Sequence, residues 1–320
     1  MHKLSTLAMV GGISLMTATA ASAQTVGIGT TKGGATAQIV AAIAKIVTTG
    51  SDLKLRPQPM GGTQQYIPIV NAGELQFGAS NMPQYYMAIK GIGLSKRKHP
   101  NLRLVVTMMK FQVGLLTPKR ANIFKPEDMK GHNYPVSFKS SPLIGLNMRA
   151  YLRNANLTEA DIKRVPVVAL RQHWNLMKQG KIDAVTAAVG SAIVKDMMAN
   201  ISGGVRFVSL HGDKAAQERV QAMLPKAWIG TIQPSPKLAG FDKPLNAISY
   251  DYLTWTHKGL SDETVYKVAK AMYNNEQGLK DTSPLWRSHS SKTMAKDHGP
   301  ETPYHPGAIK FYKEAGIWKR

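Results

Sequence analysis

Apolar and polar positions along the chain fall into a repeating order of short apolar runs and longer stretches with helical spacing. Residues 25–29 form a brief apolar run and residues 30–34 a loop of Gly, Thr and Lys. Ile39, Ala42, Ile43, Ile46 and Val47 then recur three and four apart, which predicts a helix over 35–48 with one buried face. The order returns as a strand at 53–58, a Gly-rich turn at 60–63, a helix at 64–71, and a strand at 76–80 followed by Asn81, Met82 and a turn at Pro83. Residues 101–110 and 113–117 read as extended, and a second series follows. It comprises a helical turn at 125–131, strands at 134–138, 164–168 and 182–188, and helices at 143–153 and 172–179. Strands at 205–210 and 227–232 flank a helix at 214–224. A long alternating run at 247–256 precedes a helix at 262–274 capped by Ser261, and further helices reach the C terminus. Strands alternating with helices predict an α/β fold.

In an open parallel sheet, ligands bind outside the carboxyl ends of the strands. Three loops of the first half belong there: 29–34, 60–63 and 80–82. The first joins a strand to a helix N terminus, where loop and first-turn N–H groups lack intrahelical partners and the helix dipole favours an anion. Three readings of Thr30, Thr31, Lys32, Gly33 and Gly34 compete. A nucleotide phosphate loop needs a second Lys followed by Ser or Thr, whereas Ala35, Thr36, Ala37 and Gln38 follow here. The glycines could serve only the tight turn. The third reading is a pocket wall for a small solute.

Residues 1–23 start with His2 and Lys3, continue with an apolar run from Leu7 to Met16, and end in Ala21, Ser22 and Ala23. That is the pattern of a secretory signal peptide cleaved after Ala23, which makes the expected location the periplasm. No later run is long and apolar enough to cross a membrane. With no cysteine, disulfides, thiol nucleophiles and thiolate metal sites are excluded. The remaining length suits two lobes better than one core. The formal charge is +22, with 41 Lys and Arg against 19 Asp and Glu. The basic residues are scattered, and only 96–99 (Lys, Arg, Lys, His) are dense. Without a nucleic-acid fold motif the charge reads as a whole-molecule bias that draws in anions, not as a nucleic-acid site.

Several segments resemble, in order and over nearly the whole chain, the TAXI-type solute-binding proteins of TRAP transporters. These are the glycine loop at 27–34 with Ala42 to Lys45, the Gly61–Gly62–Thr63 turn, Asn71 to Glu74, Asp128 to Gly131, and Gly180 to Ala184. Leu260, Ser261, Glu263, Val265 and Tyr266, then His305 to Ala308, Tyr312 and Gly316, complete the series. The resemblance implies a two-lobe periplasmic-binding-protein architecture with hinge strands between lobes. Residues 24–113 plus 250–320 would form lobe I and 114–249 lobe II. It implies capture of a small organic, carboxylate-bearing solute, delivery to TRAP-type membrane permease subunits, and no cofactor. Departures stand at Ala35 to Gln38, where the family has an aromatic pair, at Asn81 and Met82, and at the shortened loop Phe138, Lys139, Ser140 and Ser141.

The expected ligand-binding set is therefore Thr30, Thr31, Lys32, Gly33, Gly34, Thr36, Gly62, Thr63, Asn81, Lys139, Ser140 and Ser141. Backbone N–H groups at Gly33 and Gly34 would hold an anion, with hydroxyls and Lys32 or Lys139 beside them. Tyr85, Tyr86, Trp174 and Trp228 are candidate apolar walls. An exported ligand-sensing module or an exported hydrolase remains an alternative, although no HExxH or G-x-S-x-G motif occurs. His298 and His305 read as a terminal surface segment and not as metal ligands.

Overall fold

The computed structural model describes residues 24–319. The expected signal peptide lies outside the described residues.

The chain enters on β1 (Gln24–Thr31), α1 (Ala35–Gly50), β2 (Leu53–Met60), α2 (Thr63–Ala72) and β3 (Phe77–Asn81). β1 pairs in parallel with both β2 and β3, so the three loops that follow these strands gather on one sheet edge. On α1 the residues Ile39, Val40, Ile43 and Val47 are all inside, as the spacing predicts. A further helix, α3 (Met82–Lys90), stands where the sequence reading put only a turn. Pro83 sits in its first turn, where a missing N–H costs nothing, and the Asn81 side chain accepts the Gln84 N–H at 3.0 Å.

Two long strands then carry the chain away and back. β4 (Leu102–Pro118) is one continuous strand that merges the two extended segments expected at 101–110 and 113–117. The second half follows as β5 (Asn133–Ser137), α4 (Pro142–Asn154), β6 (Lys163–Val167), α5 (Leu170–Lys178), β7 (Val185–Ala188), α6 (Ala192–Asn200), β8 (Val205–Val208), α7 (Lys214–Met223) and β9 (Trp228–Ile232). β10 (Leu245–His257) returns antiparallel to β4. One end of β10 pairs with β3 and the other with β9, while β4 takes β7 and β8 at its far end. The result is a curled eight-stranded sheet with a separate parallel pair, β5 and β6. Nearly every β10 residue is buried on both faces, in place of the half-exposed alternation the sequence suggests. Sheet neighbours flank it on both sides, and α2 and α3 pack on it.

α8 (Asp262–Asn274), α9 (Glu276–Thr282) and α10 (Pro306–Glu314) close the fold, with α8 packed on α1 and α10. A separate hydrophobic cluster of Leu116, Trp174, Met177, Val185, Met197, Phe207 and Ala247 fills the far part of the second half. His298 and His305 do not form a surface segment. His305 is fully buried and its Nδ1 accepts the Gly307 N–H at the start of α10. The His298 side chain is 7% exposed and lies 2.8 Å from the Thr107 hydroxyl. Their polar surroundings in sequence hide contacts that only the tertiary fold supplies. Among the described residues no group of three or more His, Asp or Glu side chains could hold a metal ion.

Candidate functional site

The first loop keeps its shape through its own polar groups. Thr31 Oγ1 donates to the Gly33 carbonyl at 2.7 Å, and Thr30 Oγ1 to the Thr36 carbonyl at 3.4 Å. Gly34, the N-cap of α1, has φ 79°, a left-handed conformation that a side chain would strain. The Thr36 hydroxyl lies 2.5 Å from the phenol of Tyr252 on β10, which ties the loop to the long strand. Burial raises the Tyr252 phenol above its ordinary value, so it stays neutral. The second loop is held by Tyr66, whose hydroxyl donates to the Ala79 carbonyl at 2.6 Å and lies 3.1 Å from Thr63 Oγ1. At the third, Asn81 Nδ2 donates to Gln84 Oε1, and Gln84 Nε2 to Gln64 Oε1 at 2.9 Å, a chain of carboxamides between α3 and α2.

The second half faces this edge with its own loops. Ser140 N–H donates to the Val168 carbonyl, and Ser141 Oγ accepts the Leu170 N–H. The two sets of loops meet. A side chain built at Gly33 would fall 2.5 Å from the Arg171 guanidinium, one at Gly34 would fall 3.1 Å from Leu170, and one at Gly62 would fall 3.4 Å from the Ser140 carbonyl. Arg171 Nη2 also reaches the Lys32 carbonyl at 3.5 Å. The structure thus brings Lys32, Gly33, Gly34, Gly62, Ser140 and Ser141 to one junction, with Thr30, Thr31, Thr36, Thr63 and Asn81 shaping the wall behind. Lys139 sits in the same loop as Ser140.

Arg171, which sequence reasoning missed, joins Lys32 and Lys139 at this mouth. No ion pair among the described residues includes any of the three. Its position in the first turn of α5, behind a loop at the end of a strand, was the available signal. Of the expected walls, Trp174 stands against Gly34 and its indole N–H donates to the Thr186 carbonyl. Tyr85 is core, packed on Trp255. Tyr86 and Trp228 lie toward another flank, where Lys226 stands 5.1 Å from the Tyr86 ring and Lys296 5.4 Å from the Trp228 ring. Beneath the mouth His173 is fully buried between Phe138 and Trp174. Burial pushes its imidazole down to about 4, against the raising effect of the Leu170 and Thr186 carbonyls. Beside the mouth, between α1, the start of α6 and the segment after α9, lies an open cavity of about 460 Å³.

Solved structures share this architecture at low sequence identity. MatC from Rhodopseudomonas palustris, determined with bound malate, is similar with a TM-score of 0.55 at 13% identity, over 82% of this chain and 88% of that one. PhnD1 from Prochlorococcus marinus, in complex with methylphosphonate, matches with a TM-score of 0.55 at 9% identity, over 92% of this chain and 99% of that one. The binding-protein component of an ABC phosphonate transporter from Pseudomonas aeruginosa gives 0.53 at 10% identity, over 83% and 80%. The fold is therefore that of the two-lobe periplasmic binding proteins, as the sequence resemblance implied. A family model matches residues 28–316, and the chain belongs to the NMT1-like family.

Proposed function

We propose that this protein is the periplasmic solute-binding subunit of a TRAP-type transporter, which captures a small carboxylate-bearing solute by closure of its lobes. The observation that carries the reading is the junction itself. Loops at strand ends from both halves face each other across two long shared strands, and these loops and the helix turn behind them carry three cations, Lys32, Lys139 and Arg171. Lobe I is taken as 24–113 with 250–320 and lobe II as 114–249, so β4 and β10 are the hinge strands. Backbone N–H groups of Gly33 and Gly34, hydroxyls of Thr30, Thr31, Thr36, Thr63, Ser140 and Ser141, and Gly62, Asn81, Lys32 and Lys139 form the contact set. A solute touching both lobes only when they are shut binds the closed form better and thereby populates it. Two structures of this fold hold small anions, malate and methylphosphonate, which supports the charge class.

The test is thermal unfolding of the purified protein, refolded to strip carried-over solute, against amino acids, dicarboxylates, aromatic acids and neutral sugars. A ligand at about 100 times its dissociation constant stabilises by about 2.7 kcal/mol. A selective shift with one carboxylate class is the expected result, and no shift with any solute refutes the reading. Delivery is checked by uptake into vesicles carrying a TRAP-type permease, which should depend on added protein.

A further inference from the structure

At the loop mouth the lobes are in contact, and the open volume lies along α1, one turn beyond Thr36. The cavity of about 460 Å³ there falls within the range of about 300–1,000 Å³ typical of small-molecule sites. Its lining comes from both lobes: Gln38 and Lys45 from α1, Gly190 and Lys195 from the start of α6, and Thr282 and Ser283 after α9. No lining residue is acidic, and among the described residues neither lysine is in an ion pair. The adjacent carboxylates are engaged elsewhere, Asp196 with Lys178 at 3.2 Å and Asp281 with the Gln277 amide at 2.7 Å.

Behind the wall stands a third cation. The Arg287 guanidinium donates to the carbonyls of Val189 and Pro284 and to Gln112 Oε1, and among the described residues no ion pair includes it. A partly buried charge held by neutral groups leaves a positive potential that a nearby anion would lower. The Ser191 side chain donates to Ala188 and does not cap α6, so the first-turn N–H groups of α6 add to the same field.

We infer that this cavity is the subsite for the charged part of the solute, and that it takes a small organic dianion bridging Lys45 of lobe I and Lys195 of lobe II. The inference rests on the solute-binding reading and deepens it. The loop mouth becomes the gate, and the lysine pair becomes the element that selects two negative charges over one.

Isothermal titration calorimetry of the purified protein with succinate, malonate, inorganic phosphate and butyrate tests it. Lys45→Gln and Lys195→Gln are compared with Lys32→Gln and Lys139→Gln at the mouth, and unliganded unfolding midpoints report that each variant folds. A dianion binds the wild-type protein at least tenfold tighter than butyrate, and Lys45→Gln and Lys195→Gln each weaken it by roughly tenfold. Preference for succinate or malonate over phosphate identifies the dianion as a dicarboxylate, and the reverse identifies an oxoanion; either supports the subsite. Two outcomes overturn the subsite while leaving the solute-binding reading in place. In one, affinity is kept within twofold in both cavity variants and lost in the mouth variants. In the other, the protein responds only to neutral or cationic solutes. Silence toward every solute class overturns both.

Discussion

His173 supplies a pH dependence of stability that its burial fixes in sign and size. Its imidazole is enclosed by Phe138 and Trp174, its Nδ1–H donates to the Leu170 carbonyl, and burial holds its pKa at about 4. In the unfolded chain the ring titrates near its ordinary value of about 6.5. Between those values the unfolded state binds the extra proton, so stability falls as pH falls. The contribution is whole above about pH 6.5, is reduced by about 2 kcal/mol at pH 5, and is reduced by about 3 kcal/mol once pH passes below the folded value. Urea unfolding at pH 7 and pH 5, on wild type and His173→Gln, isolates the effect. Burial also lowers His99, His257, His289 and His305, and these give a slope of the same sign in both proteins. Glu276, held at about 2 by Lys280 and Ser291, contributes above its unfolded value and loses that contribution only as pH falls toward 2, outside this window. The variant should therefore lose about 2 kcal/mol less than wild type between pH 7 and 5. Equal losses in the two proteins would refute the assignment of a neutral, buried His173.

Four further substitutions test the packing that positions the site. Gly78→Ala puts a methyl 2.3 Å from the buried Trp255 ring and should cost about 1–3 kcal/mol in urea unfolding, and an unchanged midpoint would contradict that close approach. Tyr252→Phe removes the phenol paired with Thr36 and should cost about 1 kcal/mol. Thr36→Val should cost a similar amount, and the double variant little more than either; simple additivity would show that the bond does not couple loop to strand. Asn81→Ala loses the cap of α3 and its bond to Gln84, a loss of about 1–2 kcal/mol by chemical denaturation, and a neutral result would remove Asn81 from that role.

The alternation of strands and helices was legible because apolar spacing is set locally, one turn or one pleat at a time. The buried face of α1 and the loops on the β1, β2 and β3 edge follow from it directly. Helix α3 was hidden by reading Pro83 as a turn, although Asn81 followed by Pro83 is also how a helix begins. Helix α6 went unpredicted, and its Ser191 makes no side-chain cap. His298 and His305 lie in a stretch rich in Gly, Pro and charge that looks exposed. They are buried by Thr107 and by the start of α10, contacts that local pattern does not contain. Lys45 falls on a helix predicted from sequence and Arg171 one residue before another, but their apposition to the other half depends on how the halves pack. Twelve expected contact residues could thus be named while the neighbouring cations could not.

On the lobe closure proposed above, the same apposition suits an ion to controlling it. Outside the shared strands, the contacts across the two halves include Arg171 on the Lys32 carbonyl, Lys226 on the Tyr86 ring and Lys296 on the Trp228 ring. Exposed cation–π contacts of this kind are worth about 0.5–1 kcal/mol each. Against them stands the approach of like charges, since Lys45 of α1 and Lys195 of α6 line one cavity. The repulsion between two such charges falls with their separation and with the access of water and salt. On the proposed mechanism this repulsion opposes closure of the empty protein. A dianion between the lysines adds attractions that outweigh their mutual repulsion while leaving the other contacts in place. Moving the closed population from 1:99 to 99:1 takes about 5.5 kcal/mol of differential affinity, to which those attractions would contribute. A neutral solute of equal size would have to find that energy in contacts alone.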